Sequence, residues 1–154
     1  MIRQFHPEDA SACSALIRNC LERDPAYPSA LLQKLLSSET AQAMNERAKL
    51  FYIAVCEMDS GVVGIGGLEM NEIRLLYVSA GHRHQGIGRT LLRHLKAMVP
   101  SALFSDIFVY STEHSVAFYR ACGFVDRGPC TFCLEGQELQ TVFLTCPLPK
   151  ERFM

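Results

Sequence analysis

The sequence predicts an α/β domain of the α+β kind: a central mixed, mostly antiparallel sheet of six to seven strands, flanked by about four helices. Three observations carry the prediction. Apolar residues recur at helical spacing in the first third of the chain, and again directly after a glycine-containing loop at 79–90. Between these regions, three runs rich in aromatic and β-branched residues follow one another with only turn signals between them, the pattern of an antiparallel meander. Beyond the second helical region strand-like runs return, with one short helical segment among them. A chain of 154 residues fits one domain, 1–154, large enough to bury roughly two-thirds of the surface of the unfolded chain without disulfides or a metal.

The elements follow in order. Met1 to Phe5 reads as a short strand, and His6-Pro7-Glu8-Asp9 as a helix start with proline and acids in its first turn. Ala10, Cys13, Ile17, Cys20 and Leu21 form that helix's apolar face, which Pro25 and Pro28 interrupt. Leu31, Leu32, Leu35, Leu36, Ala43 and Met44 predict one further helical stretch. Leu50 to Met58 is a strand, Asp59-Ser60-Gly61 a hairpin turn, and Val62 to Met70 the partner strand, loosened by Gly64, Gly66 and Gly67. Asn71 marks another turn before the strand Glu72 to Val78. Ile73, Leu75 and Tyr77 are expected on one of its faces and Leu76 and Val78 on the other, so both faces are covered. Ile87, Leu91, Leu92, Leu95, Met98 and Val99 make the stripe of a helix that Pro100 ends. Phe104 to Tyr110 is a strand, and Ser115 to Cys122 a short helix closed by Gly123. Phe124 opens another strand, and Glu138 to Cys146 is the last, ended by Pro147 and Pro149.

Composition excludes several classes. The net charge of -1 argues against nucleic-acid binding, which needs a basic footprint. No apolar run approaches the roughly 20 residues of a membrane span, and Met1 to Pro7 lacks the apolar core of a signal peptide, so no membrane partner and a cytoplasmic location are expected. The seven cysteines read as small hydrophobes in a reducing compartment. Cys130 and Cys133 form a lone C-x-x-C with no second ligand pair, so no metal site is expected.

The loop Ser79 to Thr90 is the most informative segment. It joins a buried strand to a helix, whose first-turn N–H groups have no intrahelical partner and carry the positive end of the helix dipole. Gly86 and Gly88 remove the Cβ atoms that would hold an anion away. From Ser79 to Ser105 there is no Asp or Glu, while Arg83, Arg89, Arg93 and Lys96 are present, a local anion-attracting field. Neither the P-loop pattern nor the dinucleotide-binding glycine fingerprint fits.

Arg83-x-x-Gly86-x-Gly88 resembles the pyrophosphate motif of the GNAT (GCN5-related) N-acetyltransferases, in which Gln or Arg is followed at the same spacing by Gly and then Gly or Ala. Glu72 to Val78 looks like the family's strand into that loop, and Ser111 to Phe124, with Phe118-Tyr119 and Gly123-Phe124, looks like its second signature. The resemblance implies a GNAT-like acyl-CoA N-acyltransferase fold and acetyl-CoA as cosubstrate. It implies that Arg83, His84, Gln85, Gly86, Ile87, Gly88, Arg89 and Thr90 hold the pyrophosphate, while Leu76, Tyr77 and Val78 pair with the pantetheine arm as an added strand. The N–H of Tyr77 or Val78 would polarise the thioester carbonyl. Thr112, where many members have Asn, and Ser115 would contact the coenzyme. Tyr119 would be the general acid for the leaving sulfur as well as a coenzyme contact, and Glu72 the base, with Glu69 as its competitor.

The implied reaction is acetyl transfer to a primary amine of a small molecule or amino acid, by direct attack in a ternary complex. A protein N-terminal or lysine acetyltransferase and a catalytically silent coenzyme A-binding module are the alternatives. Residues 22–30 and 126–138 are the expected acceptor segments, with Asp24, Tyr27, Asp126 and Glu135 offering charge or stacking. By family habit a homodimer is plausible.

Overall fold

The computed structural model describes residues 1–149. Its seven strands are β1 (Ile2–Gln4), β2 (Tyr52–Met58), β3 (Gly61–Glu69), β4 (Glu72–Val78), β5 (Asp106–Ser111), β6 (Val125–Leu134) and β7 (Gln137–Pro147). Its five α-helices are α1 (Ala10–Arg23), α2 (Ser29–Ser38), α3 (Ala41–Leu50), α4 (Ile87–Met98) and α5 (Glu113–Ala121). The strands form one sheet in the order β1-β2-β3-β4-β5-β7-β6. Every neighbouring pair is antiparallel except β4 and β5, which are parallel. Among the described residues no helix is long and apolar enough to cross a membrane.

The sheet separates two cores. On one face Ile53, Val55, Ile65 and Leu75 pack against Cys13, Ile17 and Leu21 of α1 and Met44 of α3. On the other, Leu68, Ile73, Ile107, Val109 and Leu144 pack against Leu92 and Leu95 of α4 and Val116 and Tyr119 of α5. The β3 glycines bring α4 close: a Cβ on Gly64 would lie 2.9 Å from Leu91 Cδ1, and one on Gly66 would lie 3.2 Å from Leu95 Cδ1.

Three expectations are corrected. The single helix expected over Leu31 to Met44 is two, α2 and α3. Thr40 ends the first by capping the second, its Oγ1 accepting from the Ala43 N–H at 3.1 Å. Glu39, buried in the break, pairs with Arg47. Second, Ile73 does not share a face with Leu75 and Tyr77. The β3–β4 register shifts between Gly67 and Leu68, so that Gly67 opposes Leu75 while Leu68 opposes Ile73. Arg74 is the extra residue of a β-bulge, and it turns Ile73 into the α4 core. Third, β7 runs through Pro147, as its last residue, rather than stopping at Cys146. The Cys130 and Cys133 thiols belong to β6, where a spacing of three puts them on opposite faces of the sheet.

Candidate functional site

The bulge at Arg74 sits where β4 leaves β5. Their register holds at Glu72 opposite Phe108, where the Phe108 N–H donates to the Asn71 carbonyl at 2.9 Å. Beyond that point the two strands part, and a cleft of about 830 Å³ opens between them. The antiparallel ladder decides which β4 amides face it. The Ser79 N–H donates to the Val63 carbonyl at 2.8 Å, so Ser79 and Val63 are a hydrogen-bonded pair. Such pairs alternate along a ladder. Tyr77 and Leu75 therefore turn their backbone groups toward β3, and Leu76 and Val78 turn theirs toward the gap. Of the two amides that the sequence offers for the thioester carbonyl, Val78's faces the cleft and Tyr77's does not. The Tyr77 side chain packs on the α1 core, where burial pushes its phenol pKa upward.

At one end of the cleft stands the N-terminus of α4. Gly86 is its N-cap, at φ 81, a left-handed conformation that glycine adopts without strain. It has no side chain to cap the helix, so the first-turn N–H groups of Ile87, Gly88 and Arg89 are left without a side-chain partner. A Cβ on Gly88 would stand 3.2 Å from the Phe118 ring, so this glycine sets how closely α4 and α5 approach. Arg83, His84, Gly86, Ile87, Gly88 and Arg89 all border the cleft. Gln85 and Thr90 do not, and the Thr90 hydroxyl donates back to the Gly86 carbonyl at 2.8 Å. Among the described residues no carboxylate pairs with Arg83 or Arg89. His82 Nδ1 is buried there without a hydrogen-bond partner.

The second signature forms the opposite wall. Thr112, Ser115, Phe118 and Tyr119 line it. Tyr119 is 5% exposed, its ring held edge-on between Phe118 and Phe124 at centroid distances of 5.2 Å each. Burial, and secondarily Cys122, holds its phenol pKa well above the ordinary value, so it carries its proton at neutral pH. The Thr112 hydroxyl donates to Asp24 Oδ2 at 2.9 Å. Asp24 and Tyr27, in the loop after α1, complete the mouth with Cys20 and Arg23.

Glu72 lies off the cleft wall, at the point where β4 and β5 separate. Its side chain is 25% exposed and stands 3.6 Å from Arg74, which also reaches Glu69, across the hairpin, at 3.5 Å. Asp126 is turned to Arg120 at 2.6 Å, and the Glu135 carbonyl accepts from Lys34 of α2 at 2.7 Å. Sequence reasoning did not single out Tyr110, Ser111 or Cys20, which also border the cleft. Tyr110 reads as any strand residue, and only the β5–β7 pairing reveals its neighbours.

A mixed sheet parted between its fourth and fifth strands, with a glycine-capped helix start at the open end, is the GNAT-like acyltransferase fold. The chain belongs to that family: the family model for the acetyltransferase (GNAT) domain matches residues 18–136. It is similar to the human N-acetyltransferase 8, 26% identical over 132 residues covering 76% of this chain and 57% of the relative, so it spans somewhat more than half that protein's length. In fold it is similar to a GCN5-related N-acetyltransferase from Rhodopseudomonas palustris, with a TM-score of 0.87, 20% identity, and 96% and 95% of the two chains covered. It is also similar to a phosphinothricin acetyltransferase from Sinorhizobium meliloti in complex with acetyl-CoA, with a TM-score of 0.67, 23% identity, and 96% and 88% covered.

Proposed function

We propose that this chain is an N-acetyltransferase that moves the acetyl group of acetyl-CoA to a primary amine of a small molecule or amino acid. The observation that carries the reading is the parted β4–β5 edge, where the Leu76 N–H and C=O and the Val78 N–H face a cleft that ends at the α4 amides, the Val78 carbonyl accepting from the Cys20 thiol at 3.4 Å. An arm containing two amides and ending in a pyrophosphate matches that sequence of partners. The α4 start, which has no side-chain cap, and Arg83 and Arg89, which no carboxylate among the described residues pairs, fit the anionic end, and the structural relative from Sinorhizobium meliloti holds acetyl-CoA.

Acetyl-CoA supplies an acetyl group already activated as a thioester. The Ile87, Gly88 and Arg89 amides, with Arg83, hold its pyrophosphate. Leu76 and Val78 hold its arm as an added strand. The Val78 N–H donates toward the thioester carbonyl, where negative charge develops. Glu72, directly or through water, takes a proton from the attacking amine, since only the neutral amine attacks. Tyr119 delivers a proton to the sulfur as the carbon–nitrogen bond forms and the carbon–sulfur bond breaks. Thr112 and Ser115 border the arm.

Release of free thiol from acetyl-CoA with a panel of amines and peptides tests the reading. Turnover with a small amine supports it. Turnover with peptides alone assigns the chain to protein acetylation. Failure to bind acetyl-CoA overturns the reading.

A further inference from the structure

On the sheet face away from α5, β5 and β7 carry an aromatic platform. Tyr110 and Phe143 are directly opposite in register and stack at 5.1 Å between centroids, with planes 26° apart. Phe108 meets both edge-on, at 5.8 and 5.7 Å, and Phe132 of β6 meets Tyr110 at 4.9 Å. Tyr110 is 37% exposed and also lines the cleft, so the platform continues from the place of transfer. Phe108 is the residue in register with Glu72.

A cation lies on the same face. Side chains alternate along β7, so Thr145 shares the face of Phe143 while Leu144 and Cys146 enter the α5 core. Arg127 is exposed, and its Nε donates at 3.0 Å to Oγ1 of Thr145, the residue in register with Phe108. Among the described residues no carboxylate pairs with it. Asp106, two residues before Phe108 on the same face of β5, accepts from the Asn71 side chain at 3.2 Å, and Glu69 and Glu72 face Arg74.

We propose that the acceptor is an aromatic amino carboxylate, with its amine toward the β4–β5 gap, its ring on the Tyr110–Phe143 platform and its carboxylate on Arg127. The proposal rests on the transferase reading above and names the acceptor of that same site. A ring pair of an exposed Tyr110 and a half-buried Phe143 favours a flat apolar group, and a planar guanidinium that no described carboxylate pairs favours a carboxylate.

The test compares kcat/KM for phenylalanine and para-aminomethylbenzoate with phenethylamine, benzylamine, alanine and spermidine, following thiol release. The two aromatic amino carboxylates are expected to lead their decarboxylated partners, and phenylalanine to lead alanine, by about tenfold or more. Arg127→Gln, at an exposed position, is expected to shrink the first preference to under about threefold, and Tyr110→Ala the second. Equal or better use of spermidine or the decarboxylated amines overturns the proposal, as does an undiminished preference in Arg127→Gln. Calorimetry with acetyl-CoA separates the two levels: binding with a flat panel overturns this acceptor alone, and no binding overturns the transferase reading with it. Self-association that Tyr110→Glu disperses, with a flat panel, assigns the platform to a second copy and overturns the proposal.

Discussion

The Thr112 hydroxyl donates to the Asp24 carboxylate across 2.9 Å, joining the loop after α1 to the N-cap of α5 over 88 residues of sequence. The two residues stand on opposite sides of the cleft mouth. The other Asp24 oxygen accepts from the Ala26 N–H at 2.9 Å, so one carboxylate shapes its own loop and anchors it to the far wall. Hydrogen bonds to a charged group contribute about 1.5–3 kcal/mol when formed. A double-mutant cycle of Asp24→Ala and Thr112→Val, read by urea unfolding, is expected to return a coupling of about 1 kcal/mol. Additivity within about 0.3 kcal/mol would mean that the strap does not hold in solution.

Gly88 makes a second prediction. A Cβ there meets the Phe118 ring at 3.2 Å, and Phe118 is itself packed on Tyr119. At that distance the ring or the start of α4 has to give by a few tenths of an ångström, against the packing of Phe118 on Tyr119. Gly88→Ala is expected to weaken acetyl-CoA binding about tenfold, or about 1.4 kcal/mol, measured by calorimetry. Unchanged affinity would remove the close α4–α5 approach from the binding site.

These two contacts mark what the sequence could and could not reveal. The order of elements was legible because turn residues, helical spacing and the glycine loop are local signals. Arg83-x-x-Gly86-x-Gly88 and the Tyr119 helix were legible for the same reason, and the structure brings most of their residues to one cleft. The Arg74 bulge was not, because an extra residue in a ladder is defined by its partner strand. Nor was the Tyr110–Phe143 stack, since β5 pairs with β7 across the intervening α5 and β6. The α2–α3 break did carry a local sign, Thr40 as a helix cap, which the continuous run of apolar residues masked.

The buried phenols predict an alkaline limit. Burial pushes Tyr27 up to about 12, and Tyr77 and Tyr119 further upward. An unfolded tyrosine titrates near about 10, so above that pH the unfolded chain loses protons that the folded chain keeps. Deprotonation then favours unfolding. Stability is expected to be insensitive to these groups below about pH 9 and to fall as pH rises through about 10 to 12. Circular-dichroism melts across that range check it, and a flat Tm would show that the rings are open to solvent.

Glu72 stands at the junction of β4 and β5, beside Glu69 and within reach of Arg74. As base for the amine, it predicts that Glu72→Gln lowers kcat about a hundredfold at neutral pH. The KM for acetyl-CoA should change less than about threefold. Steady-state kinetics decide this, and an unchanged kcat in Glu72→Gln with a loss in Glu69→Gln would move the role across the hairpin.

The parted β4 edge is the feature on which the whole account depends, and amide hydrogen exchange reads it residue by residue. On saturation with acetyl-CoA, exchange at the Leu76 and Val78 amides is expected to slow by about tenfold or more as they gain partners. The Leu75 and Tyr77 amides, already turned toward β3, should change little. Equal protection along all four residues, or none while acetyl-CoA is bound, would contradict the placement of the coenzyme arm between β4 and β5.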